Sequence, residues 1–194
     1  AEEQAGFTVT GTGSQAAATI TCDYGGVTDT VTSTAAGAFT CEYDHDGTDG
    51  TANMGAVADG TITVTASVTV DGSTTTATTF ITQDTVVPTV TITASQGSDG
   101  FSSNDATLSL TFALSESSTN FAVGDIAAGG GDLSSFSGSG QSYTATFTPT
   151  GGDGAKTINI DASAFTDANT NGNTAATEFN WAYDTTAPTW SSVA

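Results

Sequence analysis

The sequence predicts an all-β protein made of two tandem β-sandwiches, plus the first strand of a further repeat. Three observations predict it. Short runs alternate apolar and polar residues at the two-residue period of a half-buried strand. The segment Asp84-Thr85-Val86-Val87-Pro88-Thr89-Val90 returns 100 residues later as Asp184-Thr185-Thr186-Ala187-Pro188-Thr189-Trp190. The composition is that of sheet surfaces and tight turns, with 41 Thr and 23 Gly in 194 residues. Threonine, β-branched and polar, suits the wet face of a strand.

The runs follow in order. Ala18-Thr19-Ile20-Thr21-Cys22 alternates and is closed by Gly25-Gly26. A second strand carries Phe39, Cys41 and Tyr43 in phase. Residues 61–70 alternate over ten positions and end at Asp71-Gly72-Ser73. Further strands are predicted at 107–112, 143–147 and 157–160, the last two separated by Gly151-Gly152-Asp153-Gly154. Phe179-Asn180-Trp181-Ala182-Tyr183 closes the series. Each Asp-Thr-x-x-Pro-Thr segment directly follows a strand run, and its proline cannot continue a ladder, so it reads as a domain junction. The boundaries are therefore 1–83, 84–183 and 184–194. A length of about 100 residues is that of one immunoglobulin-like sandwich.

Charge excludes whole classes of function. Twenty-one acidic residues face one basic residue, Lys156, for a net charge of −20. Nucleic acids and anionic membranes are held by Lys and Arg, so neither is an expected partner. No run reaches the roughly 18 apolar residues of a membrane helix, and no signal peptide is visible. Ala1-Glu2-Glu3 reads as a processed end or as a cut inside a longer protein. Hydrophobic residues make up 37% of the chain and aromatics 8%, enough for cores despite the charge. Catalysis is poorly equipped. With one His, one Lys and two Cys, any nucleophile–base pair needs His45, which lies in the loop-like run Tyr43-Asp44-His45-Asp46-Gly47. No enzyme is expected.

Residues 84–188 resemble the bacterial immunoglobulin-like repeats of very large surface adhesins. The resemblance is carried by the flanking Asp-Thr-x-x-Pro-Thr, by Phe121-Ala122-Val123-Gly124-Asp125-Ile126, by Tyr143-Thr144-Ala145-Thr146-Phe147-Thr148-Pro149, and by Ala164-Phe165-Thr166-Asp167 leading into Asn171-Gly172-Asn173. The first domain is similar to a related repeat type, through Val9-Thr10-Gly11-Thr12-Gly13 and Ala58-Asp59-Gly60-Thr61-Ile62-Thr63-Val64. The resemblance implies an extracellular, non-catalytic stalk of tandem domains, commonly rigidified by calcium. Such repeats usually lack cysteine, and Cys22 and Cys41 depart from the pattern. Both are in phase with the apolar face of their strands. In an exported β-domain they point to a disulfide closing a loop of roughly 20 residues; two buried free thiols are the alternative.

With one lysine for 21 carboxylates, repulsion must be screened by salt or neutralised by bound cations. Carboxylate and amide oxygens are hard ligands suited to Ca²⁺. The stretch from Asp167 through Asn169 and Asn171 to Glu178 matches the spacing of an EF-hand loop, but its flanks read as strands rather than helices. Loop alternation in a sandwich brings Asp44, Asp46, Asp49 and Asp59 toward Asp84 from one side. It brings Glu116, Asp167, Asn169 and Asn171 toward Asp84 from the other. The same reasoning gathers Asp99, Asp153 and Asp184 at the far pole of the second domain. Ca²⁺ at both places is the expectation; ordinary acidic loops kept soluble by charge are the alternative.

The leading reading is a stalk segment whose partners are neighbouring repeats of the same protein. The competing one is an identical-subunit filament, surface layer or phage appendage, in which residues 188–194 complete a neighbour by β-strand addition. Glycan binding would use Trp181, Tyr183 or Trp190, and ice binding a threonine array such as Thr144, Thr146 and Thr148. The chain contains no Asn-x-Ser/Thr acceptor.

Overall fold

A computed structural model describes residues 7–12, 17–34, 37–44, 52–53 and 57–190. They form two compact units that divide after Thr85. No α-helix is present among the described residues, and none therefore is long and apolar enough to cross a membrane.

The first unit contains β1 (Phe7–Thr12), β2 (Thr19–Tyr24), β3 (Val27–Thr32), β4 (Ala38–Asp44), β5 (Ala52–Asn53), β6 (Gly60–Val70) and β7 (Ser73–Gln83). They make a three-stranded sheet in the order β1-β4-β5 and a four-stranded sheet in the order β3-β2-β6-β7. Alternation works as read from the sequence. Ile20, Cys22 and Tyr24 of β2 turn inward with Ile62 and Val64 of β6, while Thr19 and Thr61 face water. The outer face explains the threonine content. Thr30, Thr21, Ser67 and Thr76 stand directly opposite one another, strand by strand, across the whole four-stranded sheet. Among the described residues, its core holds six buried apolar side chains: Ile20, Cys22, Tyr24, Cys41, Ile62 and Val64. A disulfide between Cys22 on β2 and Cys41 on β4 joins the two sheets, with Cα atoms 6.4 Å apart. Chains that bury little apolar surface commonly need such a cross-link.

The second unit is a sandwich of β8 (Val90–Ala94), β9 (Phe101–Ser103), β10 (Leu108–Ser118), β11 (Ala127–Gly129), β12 (Gly131–Pro149), β13 (Gly154–Asn159) and β14 (Phe179–Tyr183). One sheet runs β12-β10-β8 and the other β11-β13-β14-β9. Its core is aromatic, with Phe112, Phe121, Phe147, Phe165, Phe179 and Trp181 buried. Trp181 is 1% exposed, stacks on Phe101 and donates its Nε1–H to Ser103 Oγ at 3.1 Å. It is a core residue, and the glycan role weighed for it does not apply. β12 doubles back on itself: Thr150 N donates to Gly130 O and Thr144 Oγ1 to Ser137 O. The reversal centres on Gly140, at φ 65°, and beside it Gly138, at φ 141°, lies so close to the returning arm that a Cβ would meet the Tyr143 backbone at 2.5 Å.

Lys156, the only basic side chain of the protein, is 5% exposed. Its ammonium donates to the carbonyls of Thr150 and Gly152, each at 3.0 Å, and lies 5.8 Å from the centre of the Tyr183 ring. It closes the β12–β13 turn and leaves the surface charge unbalanced.

Candidate functional site

The second unit builds an acidic pair from two segments. β10 is irregular between Ala113 and Ser118, where its pairing with β12 shifts register. Such bulges re-aim side chains, and Glu116 lies in this one. Its neighbour Ser115 is fixed by exchange with Thr89: Ser115 N donates to Thr89 O at 3.0 Å, and Thr89 N donates to Ser115 Oγ at 2.9 Å. The loop carrying Asp167 is tied to the end of the same strand, because Ser118 Oγ donates to Thr166 O at 2.7 Å and Thr166 N to Asn120 Oδ1 at 3.0 Å. A ligand oxygen of Glu116 lies within 4.8 Å of one of Asp167.

Asp167 is 6% exposed. Its Oδ1 accepts the backbone N–H groups of Asn169 at 2.8 Å and Asn171 at 2.9 Å, and its Oδ2 accepts the Asn171 amide at 2.9 Å. Burial acts to raise its pKa, but the hydrogen bonds from Asn171, Asn169 and Glu116 outweigh it, and the carboxyl sits below its ordinary value. Asn169 and Asn171 thus serve as donors that hold Asp167 ionised. The loop is a tight polar turn with a bridge between Thr166 and Gly172 and no flanking helix among the described residues. The EF-hand spacing is therefore coincidental, and Glu178 is exposed beside β14.

The remaining candidates separate. Asp59 lies elsewhere in the first unit, where Thr85 donates its N–H and its hydroxyl to it, both at 3.0 Å. Asp153 receives the same pair from Thr185, at 2.8 and 2.6 Å, and the Thr186 hydroxyl at 2.6 Å. The two arrangements are equivalent. Each aspartate precedes a glycine of positive φ, Gly60 at 130° and Gly154 at 137°. Each glycine pairs with the last residue of the next ladder strand, Gly60 with Gln83 and Gly154 with Tyr183. A short Asp-Gly before the penultimate ladder strand thus grips the Asp-Thr that leaves the unit. Sequence reasoning noted both dipeptides without pairing them with Thr85 and Thr185.

Of the expected gathering, Asp153 and Asp184 share Thr186, accepting its hydroxyl and its N–H respectively, but Asp99 does not join them. Asp99 accepts Asn180 N at 2.7 Å, whereas Asp184 N donates to Ser103 O. Asn180 precedes Asp184 by four residues, roughly 13 Å along a strand. The cause is the chain's switch from β8 to β9, which moves Asp99 partway down the sandwich. Asp44 ends β4, with its side chain outside the described residues, as are Asp46, Asp49 and His45.

Residues 84–183, just over half of the 194, match the bacterial Ig-like domain family. The chain belongs to that family. No curated protein and no solved structure matches the chain. Bacterial Ig-like domains are structural, typically non-enzymatic and often extracellular, and the disulfide of the first unit is compatible with that compartment. The matched residues include both Glu116 and Asp167.

Proposed function

We propose that this chain is a non-catalytic spacer of a repetitive cell-surface adhesin, stiffened by Ca²⁺ held in its Ig-like domain by Glu116 and Asp167. The observation that carries the reading is the meeting of those two carboxylates in a protein of net charge −20. The donor set consists entirely of hard oxygens, which suits Ca²⁺ or Mg²⁺. Bound Ca²⁺ would supply the positive charge that the sequence lacks. Hydrogen bonds from Asn169 and Asn171 keep Asp167 charged, and the irregular segment of β10 presents Glu116. Neutralising the pair would hold the Asp167 loop against β10 and limit its movement.

Support for the spacer role comes from the recurrence of one exit arrangement, Thr85 on Asp59 and Thr185 on Asp153, after the last strand of each unit. The test is small-angle scattering and thermal melting of the chain in Ca²⁺ and in chelator, with Glu116→Gln as the variant. A longer maximum dimension and a higher melting temperature in Ca²⁺, both lost in the variant, are expected. Identical curves in the two conditions overturn the calcium role.

A further inference from the structure

β7 pairs with β6 over eleven consecutive positions, from Ser73 opposite Val70 to Gln83 opposite Gly60, without a bulge. It ends the four-stranded sheet, so its other side meets no strand among the described residues. A free edge presents a row of backbone N–H and C=O groups, and proteins ordinarily blunt it with charge, proline, a bulge or shortness. β7 has none of these. Its sequence, Ser-Thr-Thr-Thr-Ala-Thr-Thr-Phe-Ile-Thr-Gln, is uncharged and proline-free in a protein of net charge −20. Residues 73–80 are exposed on both faces of the strand. On the inner face Thr75 and Ala77 are exposed although they stand opposite the half-buried Val68 and Ala66. On the outer face Phe80 is 66% exposed.

The other end strands make poor mates for such an edge. β1 and β3 have six residues each, β8 has five, β9 and β11 have three and β5 has two, while β12 folds back on itself. The edge that matches β7 in length and neutrality is β7 itself. We propose that two copies of the chain pair through β7, antiparallel about a two-fold axis, so that their four-stranded sheets become one sheet of eight strands. A two-fold contact presents the same patch twice. With the axis near Ala77, Phe80 of each copy lies across from Thr74 of the other, an aromatic beside a β-branched residue. No charged side chain enters the ladder, which runs roughly 35 Å. The −20 charge of each copy opposes their approach from a distance, and salt screens that repulsion. Pairing therefore strengthens as salt rises. It goes beyond the spacer reading, which concerns a single chain, and it is independent of calcium.

The test is sedimentation equilibrium of the full chain in chelator, over a range of protein concentration and from low to high NaCl. A monomer–dimer equilibrium that tightens with salt is expected, without larger species, because the pairing consumes the free edge of both copies. Thr76→Glu with Thr78→Glu sets like charges across the axis and is expected to weaken the dimer roughly tenfold or more at the same salt. Thr30→Glu, on β3 at the opposite end of the same sheet, is expected to leave it unchanged, with first-unit melting as the check that each variant folds. Hydrogen exchange of the unsubstituted chain gives a second readout: amides within residues 74–82 are expected to gain protection as concentration rises. A monomer at every salt and concentration overturns the proposal. So does a dimer that the folded double variant leaves intact, that Thr30→Glu weakens equally, or whose formation leaves exchange in β7 unaltered.

Discussion

Lys156 shows what one residue does when its type occurs once. Its ammonium is spent on the carbonyls of Thr150 and Gly152 inside the second unit. Hydrogen bonds to a charged group contribute about 1.5–3 kcal/mol each, and orphaned carbonyls cost more. Lys156→Met is expected to destabilise that unit by about 2 kcal/mol, read as a lower denaturant midpoint with unchanged slope. Asp153 gives the pH counterpart. Hydrogen bonds from the Thr185 and Thr186 side chains, with Thr185 N, hold its pKa at about 2, below the ordinary 3.8. A depressed carboxylate stabilises the fold above its unfolded pKa and loses that contribution as pH falls through the folded one. Protection of the Thr185 amide against hydrogen exchange is therefore expected to persist at pH 4 and to fade toward pH 2. In Asp153→Ala it should be absent at every pH. Tyr24 has the opposite sign. Burial first, and then Asp59, raise its pKa above 10.0, so its contribution is present below pH 10 and lost above it. Loss of first-unit near-ultraviolet signal on alkaline titration checks this.

At the scale of elements, the two units are stabilised differently. Among the described residues, the second has sixteen buried apolar side chains in its core and the first has six. The Cys22–Cys41 cross-link, 19 residues apart in sequence, is worth about 3 kcal/mol in the chain-entropy model. Reduction, or Cys22→Ser with Cys41→Ser, is expected to shift first-unit melting and leave the second transition in place. Calorimetry with and without reductant reads it. Strands that pack one face on a core were legible, because alternation reports burial. β7 was not. All its residues except Ile81 and Gln83 are exposed, and a threonine run without an apolar stripe carries no periodic signal. β9 and β11, three residues each, are too short for any pattern to emerge. The pairing of Cys22 with Cys41 was legible, since both lie in phase with core residues on strands of one small domain.

For the whole molecule, charge is the governing property. Twenty-one carboxylates without surface cations make the folded chain sensitive to ionic strength. The melting temperature of the chain in chelator is expected to rise with added NaCl. Millimolar Ca²⁺ should exceed that effect in the native chain and only match it in Asp167→Asn. Equal responses of the two proteins to Ca²⁺ would remove Asp167 from the proposed site.

Alternation and the 100-residue repeat by themselves determined an all-β chain of tandem sandwiches, and the motifs of residues 84–188 carried the resemblance to bacterial immunoglobulin-like repeats, because burial periodicity and turn chemistry are written in local order. Which carboxylates meet was decided only by the tertiary structure. The second unit holds Glu116 near Asp167 and Asp153 near Asp184, whereas Asp99 lies apart, because a strand that changes sheets breaks the loop alternation. That alternation also could not reveal that Asp59 and Asp153 are gripped by threonines 26 and 32 residues away. Hydrogen bonds act over about 3 Å of space, and the distances that decide them are set by the register of sheets.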